Sequence, residues 1–189
     1  MYDSVNRIVA TERLLLRLFQ SSDVEDITRL CNNYNVSKST LFIPYPYIPD
    51  YAIAWIATLE EEFVNEKSYN FAITDKTTKE LYGGIGLSHN AGDKNGETGF
   101  WLGEPFWGKG IAAEAAKAII DFAFSEKKFH KVYARHFESN PPSGKVLQKC
   151  GMSREGMLLE HILKENKYEN VVHYGIINAG WRQRCRGRL

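Results

Sequence analysis

The chain of 189 residues is poor in the residues that hold small secreted or metal-bound folds together. It has three cysteines, Cys31, Cys150 and Cys185, and none of them belongs to a Cys-x-x-Cys pair. This spacing argues against a disulfide framework and against a zinc site, and it is typical of proteins from a reducing compartment. We therefore expect no bound metal and a cytoplasmic location.

Charge of one sign and long apolar runs are also missing. The formal net charge is +1, so the composition gives no general attraction to nucleic acid or to a membrane surface. No run of residues is long and apolar enough to cross a bilayer, and the N-terminus carries Asp3 and Arg7 where a signal peptide would be apolar. We expect partners that are neither nucleic acid nor membrane.

The composition is that of an ordinary globular protein, with 43% hydrophobic and 25% charged residues. A chain of this length most simply forms one domain with a core of its own. We expect that domain to occupy about residues 11–181 and the basic tail, residues 182–189, to fray from it. A monomer and a homodimer both remain compatible with these features.

Apolar spacing along the chain predicts a strand, two helices, three strands, a helix, a strand, a helix and two final strands. Most neighbouring strands form hairpins, and one βαβ crossover passes through the helix at 110–124. This order predicts an α/β (α+β) fold whose mixed, mostly antiparallel sheet of about seven strands has helices on both faces. The predicted strands are 12–19, 69–74, 81–88, 97–103, 129–137, 152–161 and 168–177.

The most informative stretch is a strand that passes through a glycine turn into a helix. Backbone N–H groups at a helix N-terminus have no partners inside the helix, and glycine admits a phosphate because it has no Cβ. Gly108, Lys109 and Gly110 therefore form a candidate anion site. On its own the turn also fits a P-loop, a dinucleotide-binding fingerprint, or a connection that binds nothing. Gly110 argues against the P-loop because it replaces the hydroxyl that binds magnesium, and the hairpins before the turn argue against the dinucleotide fold.

Three blocks of sequence resemble the GNAT N-acetyltransferases, and within them the branch of the ribosomal-protein-alanine N-acetyltransferases. They run from Glu97 to Ala115, from Asn140 to Met152 and from Glu155 to Gly175. The resemblance implies a GNAT fold, acetyl-CoA as cosubstrate and a primary amine as acceptor. Trp107 and Leu147 depart from the general family pattern; at the second position many members have a tyrosine that protonates the leaving thiolate.

The resemblance also implies roles for particular residues. The strand residues Trp101, Leu102 and Gly103 pair with the pantetheine arm through free backbone groups, where a bulge splays this strand from the strand at 130–137. Asn140 bonds to the arm or to a bound water while it caps a helix, and Ser143 lies near the sulfur as the candidate acid. The pyrophosphate is expected at the N–H groups of Gly108, Lys109, Gly110, Ile111, Ala112 and Ala113, and Trp107 is expected among the cofactor-binding residues.

The general base is the least determined part of this site. Glu97 begins the central strand and is the candidate, acting on the amine through water; the alternative is a solvated carboxylate at a strand end. His89 and Glu104 are weaker candidates. The acceptor is expected against residues 34–55 and the turn at 161–168. Aromatic residues there, which wall a groove or close a core edge, are Phe42, Tyr45, Tyr47 and Trp55.

The sequence thus predicts an acetyl-CoA-dependent N-acetyltransferase that works by direct attack in a ternary complex. A cysteine acyl-enzyme is disfavoured because Cys150 sits at the end of a helix, where it belongs to the core. The favoured acceptor is the α-amino group of a protein N-terminus. Two alternatives stay open: a small-molecule amine such as a polyamine, an amino acid or an antibiotic-like compound, and a non-catalytic module that senses acyl-CoA.

Overall fold

The computed structural model describes residues 1–179 and 181, and the predicted basic tail at 182–189 lies outside the described residues. Five helices occur in this part of the chain: α1 (Val24–Cys31), α2 (Tyr34–Ser39), α3 (Pro49–Val64), α4 (Ile111–Ser125) and α5 (Pro141–Lys149). The strands are β1 (Tyr2–Asp3), β2 (Ile8–Ala10), β3 (Leu14–Leu18), β4 (Ser68–Asp75), β5 (Leu81–Ser88), β6 (Asn95–Leu102), β7 (Lys131–Phe137), β8 (Ser153–Lys164) and β9 (Lys167–Ile177).

These nine strands form one sheet in the order β1-β2-β3-β4-β5-β6-β7-β9-β8. Neighbouring strands are antiparallel except β6 and β7, which are parallel and joined through α4. The predicted mixed sheet and its single βαβ crossover are therefore confirmed. No helix in the described residues is both long and apolar enough to cross a membrane.

Three short elements were not predicted. Strands β1 and β2 have two and three residues, which is too few for an alternating pattern to show. Helix α2 has six residues and owes its start to the side chain of Asn33, which accepts hydrogen bonds from the N–H groups of Asn35 and Val36. The N-terminal strands extend the sheet by two beyond the expected seven.

Helices α4 and α3 pack on the two faces of the sheet, and Phe63 near the end of α3 also packs against two rings on the α4 side, Tyr69 and Phe71. On the first, Phe122 of α4 packs edge-on against Tyr69 and Phe71 of β4, with ring centroids 5.4 and 5.7 Å apart. On the second, Phe19 packs against Trp55 of α3 at 4.8 Å, close to Gly84 of β5. Because side chains alternate along a strand, successive residues of the central strands face α4 and α3 in turn. We call these surfaces the α4 face and the α3 face.

The central strands β6 and β7 are paired only at their beginnings. The last pair is Glu97 with Tyr133; beyond it β6 continues beside β5 and β7 continues beside β9. The strands thus diverge in the middle of the sheet, as expected. The β5–β6 register runs without a shift from Leu87↔Thr98 to Gly83↔Leu102, so the bulge expected there is wrong. We call the opening between β6 and β7 the cleft.

Phe122 is the aromatic residue through which α4 packs on the sheet, and it is 2% exposed. We expect Phe122→Ala to lower the free energy of unfolding by about 3–5 kcal/mol, because it removes buried ring contacts and leaves a cavity. Leu159→Ala is the control, because Leu159 is 69% exposed and its loss is worth less than about 0.5 kcal/mol. Urea denaturation measures both; equal effects would contradict this account of the core.

Candidate active site

The cleft opens into a cavity of about 700 Å³, within the size range of small-molecule sites. Residues from Glu97 to Trp101 of β6 and from Ala134 to Phe137 of β7 line its two edges. Ser143 and Leu147 of α5 line one end, while Phe19 and Trp55 line the other. The cavity therefore joins the region expected to hold the cofactor to the region expected to hold the acceptor.

Hydrogen bonding to β5 decides which backbone groups of β6 are free in the cleft. The Gly103 N–H donates to the Tyr82 carbonyl at 2.9 Å, and the Trp101 carbonyl faces Gly83 so closely that a Cβ there would overlap it. Because these directions alternate in an antiparallel pair, the N–H and C=O groups of Phe100 and Leu102 face the cleft. The expectation that Trp101 and Gly103 offer free backbone groups is therefore corrected.

One of these cleft-facing groups already has a partner. The indole Nε1 of Trp107 donates to the Leu102 carbonyl at 2.8 Å, although 41% of the tryptophan is exposed. The groups that remain are the N–H and C=O of Phe100 and the N–H of Leu102. They have the polarity of a strand edge, which is the surface an extended amide chain pairs with.

The glycine turn has the backbone that an anion site needs. Gly108 and Gly110 have φ of 75° and 79°, a left-handed conformation that costs other residues strain, and α4 begins at Ile111. An ideal Cβ on Gly108 would meet no atom within 4 Å, so the turn is open to a ligand. Arg13 lies beside the turn and donates to the Lys109 carbonyl at 3.2 Å, a contact that was not predicted.

The expected pair on α5, Asn140 and Ser143, is connected by hydrogen bonds. The Asn140 side chain accepts from the Ser143 N–H and donates to the Ser143 Oγ at 3.0 Å and to the Ser39 carbonyl at 3.0 Å. Its amide hydrogens are therefore used within the protein. Because Ser143 accepts this bond through Oγ, its own hydroxyl hydrogen stays free to donate into the cavity, which Ser143 lines.

The candidate base, Glu97, is joined across the cleft to a residue that the sequence did not single out. Arg135 Nε donates to Glu97 Oε1 at 2.7 Å, and the side chains are 24% and 25% exposed. Both line the cavity, and within the described residues Oε2 of Glu97 accepts no hydrogen bond. The register would have identified Arg135, because it lies two residues beyond Tyr133, the partner of Glu97, on the same face.

The weaker base candidates have structural partners away from the cavity. His89 stacks on Phe129 at 4.7 Å, and its Nδ1 contacts the Glu66 carbonyl at 2.9 Å. Glu104 accepts from the side chains of Asn33 at 2.7 Å and Asn35 at 2.9 Å, beside the start of α2. Neither lines the cavity, so of the three candidates only Glu97 does.

Two buried groups near α5 are kept neutral by their surroundings. Burial lowers the pKa of His136, whose Nδ1 lies 2.7 Å from the Phe137 carbonyl, so the ring is uncharged at neutral pH. Burial raises the pKa of the Cys150 thiol to about 11, against a smaller opposing effect of Lys117. A thiol with that pKa is a poor nucleophile at neutral pH, in agreement with a mechanism without an acyl-cysteine.

The residues expected on the acceptor side mostly meet there. Phe42, Tyr47 and Trp55 line the cavity, whereas Tyr45 packs outside it against the ring of Tyr34 at 5.7 Å. The β8–β9 turn reaches this region as expected, because Lys164 Nζ donates to the Ile43 carbonyl at 3.2 Å. Among the described residues, no group of His, Cys, Asp and Glu side chains converges to hold a metal ion.

Comparison with known proteins agrees with this geometry. The family model described as "Acetyltransferase (GNAT) domain" matches residues 13–153. An uncharacterised N-acetyltransferase, YnaD of Bacillus subtilis, is 30% identical over 92% of this chain and 98% of its own. The [ribosomal protein uS5]-alanine N-acetyltransferase of Escherichia coli is 25% identical over 92% of each chain. The spermidine N(1)-acetyltransferase of Vibrio cholerae is 22% identical over 91% of this chain and 97% of its own.

Solved structures share the fold. An acetyltransferase (GNAT family) from Bacillus anthracis has a TM-score of 0.80 and 26% identity, over 91% of this chain and 99% of that one. The ribosomal L7/L12 acetyltransferase RimL, solved with coenzyme A, has a TM-score of 0.83 and 18% identity, over 90% and 97% of the two chains. The chain belongs to the GNAT family, and it is an acetyl-CoA-dependent N-acetyltransferase.

The glycine turn generates a test of cofactor binding. We expect Gly110→Val to weaken CoA binding more than about tenfold, because a β-branched residue resists the left-handed conformation and moves the N–H groups at the start of α4. Calorimetric titration with CoA measures the affinity, and circular dichroism checks that the variant folds. Gly92→Val is the control, in a turn outside the cavity where φ is not left-handed. Unchanged affinity in Gly110→Val would remove the pyrophosphate from this turn.

Proposed function

We propose that this enzyme transfers the acetyl group directly to a primary amine held on the α3 face of the cleft, and that the favoured acceptor is a protein N-terminal α-amino group. The observation that carries the proposal is the continuous cavity that runs through the cleft between β6 and β7. The free hydroxyl of Ser143 lies at one end of it, and the Glu97–Arg135 pair lies on the α3 face. A donor and an acceptor can therefore meet without a covalent enzyme intermediate.

Acetyl-CoA fits the groups on the cofactor side. The pantetheine amides pair with the free backbone groups of Phe100 and Leu102, and the pyrophosphate takes the N–H groups from Gly108 to Ala113. Lys109 adds positive charge nearby, although its Nζ lies over the Phe106 ring at 5.6 Å. In this arrangement Asn140 acts through Ser143, whose hydroxyl it orients.

Two residues that line the cavity, Glu97 and Ser143, carry out the proton transfers. An amine attacks only when neutral, whereas an α-amino group is largely protonated at neutral pH. Arg135 holds Oε1 of Glu97 and leaves Oε2 to take the amine proton, directly or through one water. The N–H groups of β6 in the cleft are the available donors for the oxyanion. The Ser143 hydroxyl donates a proton to the departing thiolate and takes one from solvent water, so that the serine ends protonated.

The relatives are named for the acetylation of different amines, which gives two candidate classes of acceptor. The ribosomal-protein-alanine enzyme of Escherichia coli, aligned over 92% of this chain, favours a protein N-terminus. The size of the cavity favours the second candidate, a small-molecule amine, because about 700 Å³ encloses a whole ligand of that kind. Thiol release from acetyl-CoA with a panel of peptides and amines tests both; CoA binding without release would favour a sensor module.

The proposed base has a matched control in the same sheet. We expect Glu97→Gln to lower kcat at least about a hundredfold and to alter the shape of its pH profile, because an amide accepts no proton. Glu155→Gln removes a similar contact, the 2.7 Å pair of Glu155 with Lys131, outside the cavity, and should leave kcat and profile unchanged. Superimposable pH profiles of Glu97→Gln and the unmodified enzyme would reject Glu97 as the base.

The proposed acid is tested on the other side of the cleft. We expect Ser143→Ala to lower kcat about tenfold or more while CoA affinity changes little, because the hydroxyl acts on the leaving thiolate rather than on the bound cofactor. Ser139→Ala is the control, since its Oγ donates to Glu169 at 2.9 Å outside the cavity. A Ser143→Ala enzyme with unchanged kcat would leave this serine a structural residue of α5.

A further inference from the structure

We propose that the acceptor carries one positive charge and, beside its amine, a bulky apolar group that is aromatic or branched. This inference rests on the proposed function and narrows the substrate class of the same site. Two sources share that chemistry: a peptide whose first residue has a large apolar side chain, and a small apolar monoamine. Polyamines lie outside the class, although one relative is a spermidine acetyltransferase.

The acceptor end of the cavity has aromatic walls. Phe19 and Trp55 meet edge-on at 4.8 Å, and the indole of Trp101 closes the same surface. Gly84 allows these rings to converge, because a Cβ there would lie 2.6 Å from Trp101 Nε1 and 2.9 Å from Phe19. Trp101 and Glu97 share the α3 face of β6, so the apolar surface begins beside the proposed base.

The charges around the cavity suit only one ammonium group. Of the described lining residues, Glu97 is the only carboxylate, and Arg135 already pairs with it. Burial raises the pKa of Cys31 and of Tyr47 to about 12, so both are neutral, as is His136. A second ammonium inside this space has no carboxylate partner, and an unpaired buried charge is costly.

A carboxylate behind the cavity lining, Glu62, does not change this balance. Glu62 lies behind Ser68 and accepts the hydrogen bond of its hydroxyl, so it is separated from the cavity by a lining residue. The aromatic walls themselves attract a cation through their ring faces. They also bury hydrocarbon, and that combination favours one amine attached to an apolar body over a chain of several amines.

The mouth of the cavity carries a further apolar contact. Phe42 lines the cavity and is 83% exposed. The segment around it is attached at two points, because Asn140 bonds to the Ser39 carbonyl and Lys164 to the Ile43 carbonyl. A large apolar acceptor gives the Phe42 ring a surface to pack on, whereas a small amine does not reach it.

Matched amines test the charge argument. We expect kcat/KM for n-hexylamine to exceed that for 1,6-diaminohexane by at least about tenfold, because the two differ only in a second ammonium. Peptides that begin with phenylalanine or with aspartate form the second arm, and 2-phenylethylamine against ethylamine the third. If the apolar member is preferred only among the peptides, the acceptor is a peptide. If it is preferred only among the amines, the acceptor is a small monoamine. Equal or higher activity with the diamine would overturn the inference.

A variant tests the apolar wall without disturbing the fold. Phe42→Ala should reduce the preference for 2-phenylethylamine over ethylamine by about fivefold, and its exposure predicts little change in melting temperature. Leu159→Ala, an apolar change at another exposed position outside the cavity, should leave the preference as it is. An unchanged preference in Phe42→Ala would remove this residue from the acceptor site.

Failure of the proposed function gives a different result from failure of this inference. If no amine releases CoA thiol, direct transfer is wrong, and calorimetric binding of the same amines to the CoA-saturated protein still decides the substrate class. Tighter binding of n-hexylamine than of 1,6-diaminohexane would then support the inference, and equal binding would contradict it. Turnover that favours the diamine would leave the transferase function intact and reject the apolar acceptor.

Discussion

The divergence of β6 from β7 is the constraint on which the rest of the site depends. A strand in the middle of a sheet normally pairs with a neighbouring strand on each side, but beyond Glu97 the strand β6 is paired only with β5. Unpaired backbone groups in a buried position cost about 1–3 kcal/mol each, so the cleft is a place where an extended ligand is stabilised by pairing. In the proposed function, cofactor binding completes the sheet.

Contacts around the cleft preserve that opening and orient its groups. The Glu97–Arg135 pair joins the two strands where they part, and the indole of Trp107 satisfies the Leu102 carbonyl, which would otherwise face the cleft. Asn140 connects the start of α5 to the segment that follows α2. Its side chain bonds to Ser143 on one side and to the Ser39 carbonyl on the other. Each of these groups is thus oriented by a hydrogen bond of its own.

Short-range sequence patterns predicted much of this structure. The glycines of the turn, the cap at Asn140 and the βαβ crossover all follow from short-range patterns, and the GNAT fold followed from three blocks of sequence. Apart from the short elements β1, β2 and α2, what escaped prediction depends on pairing between distant strands. The partner of Glu97 and the choice of Phe100 over Trp101 as the backbone that faces the cleft are decided by register, which no local pattern contains.

Amide hydrogen exchange of β6, measured by NMR with and without saturating CoA, tests the central claim most directly. The N–H groups of Phe100 and Leu102 face the cleft, whereas the Gly103 N–H is already bonded to the Tyr82 carbonyl. If the cofactor arm completes the sheet, exchange at Phe100 and Leu102 slows at least about tenfold on CoA binding, and exchange at Gly103 changes much less. Unchanged exchange at Phe100 and Leu102 in a CoA-saturated protein would contradict the account.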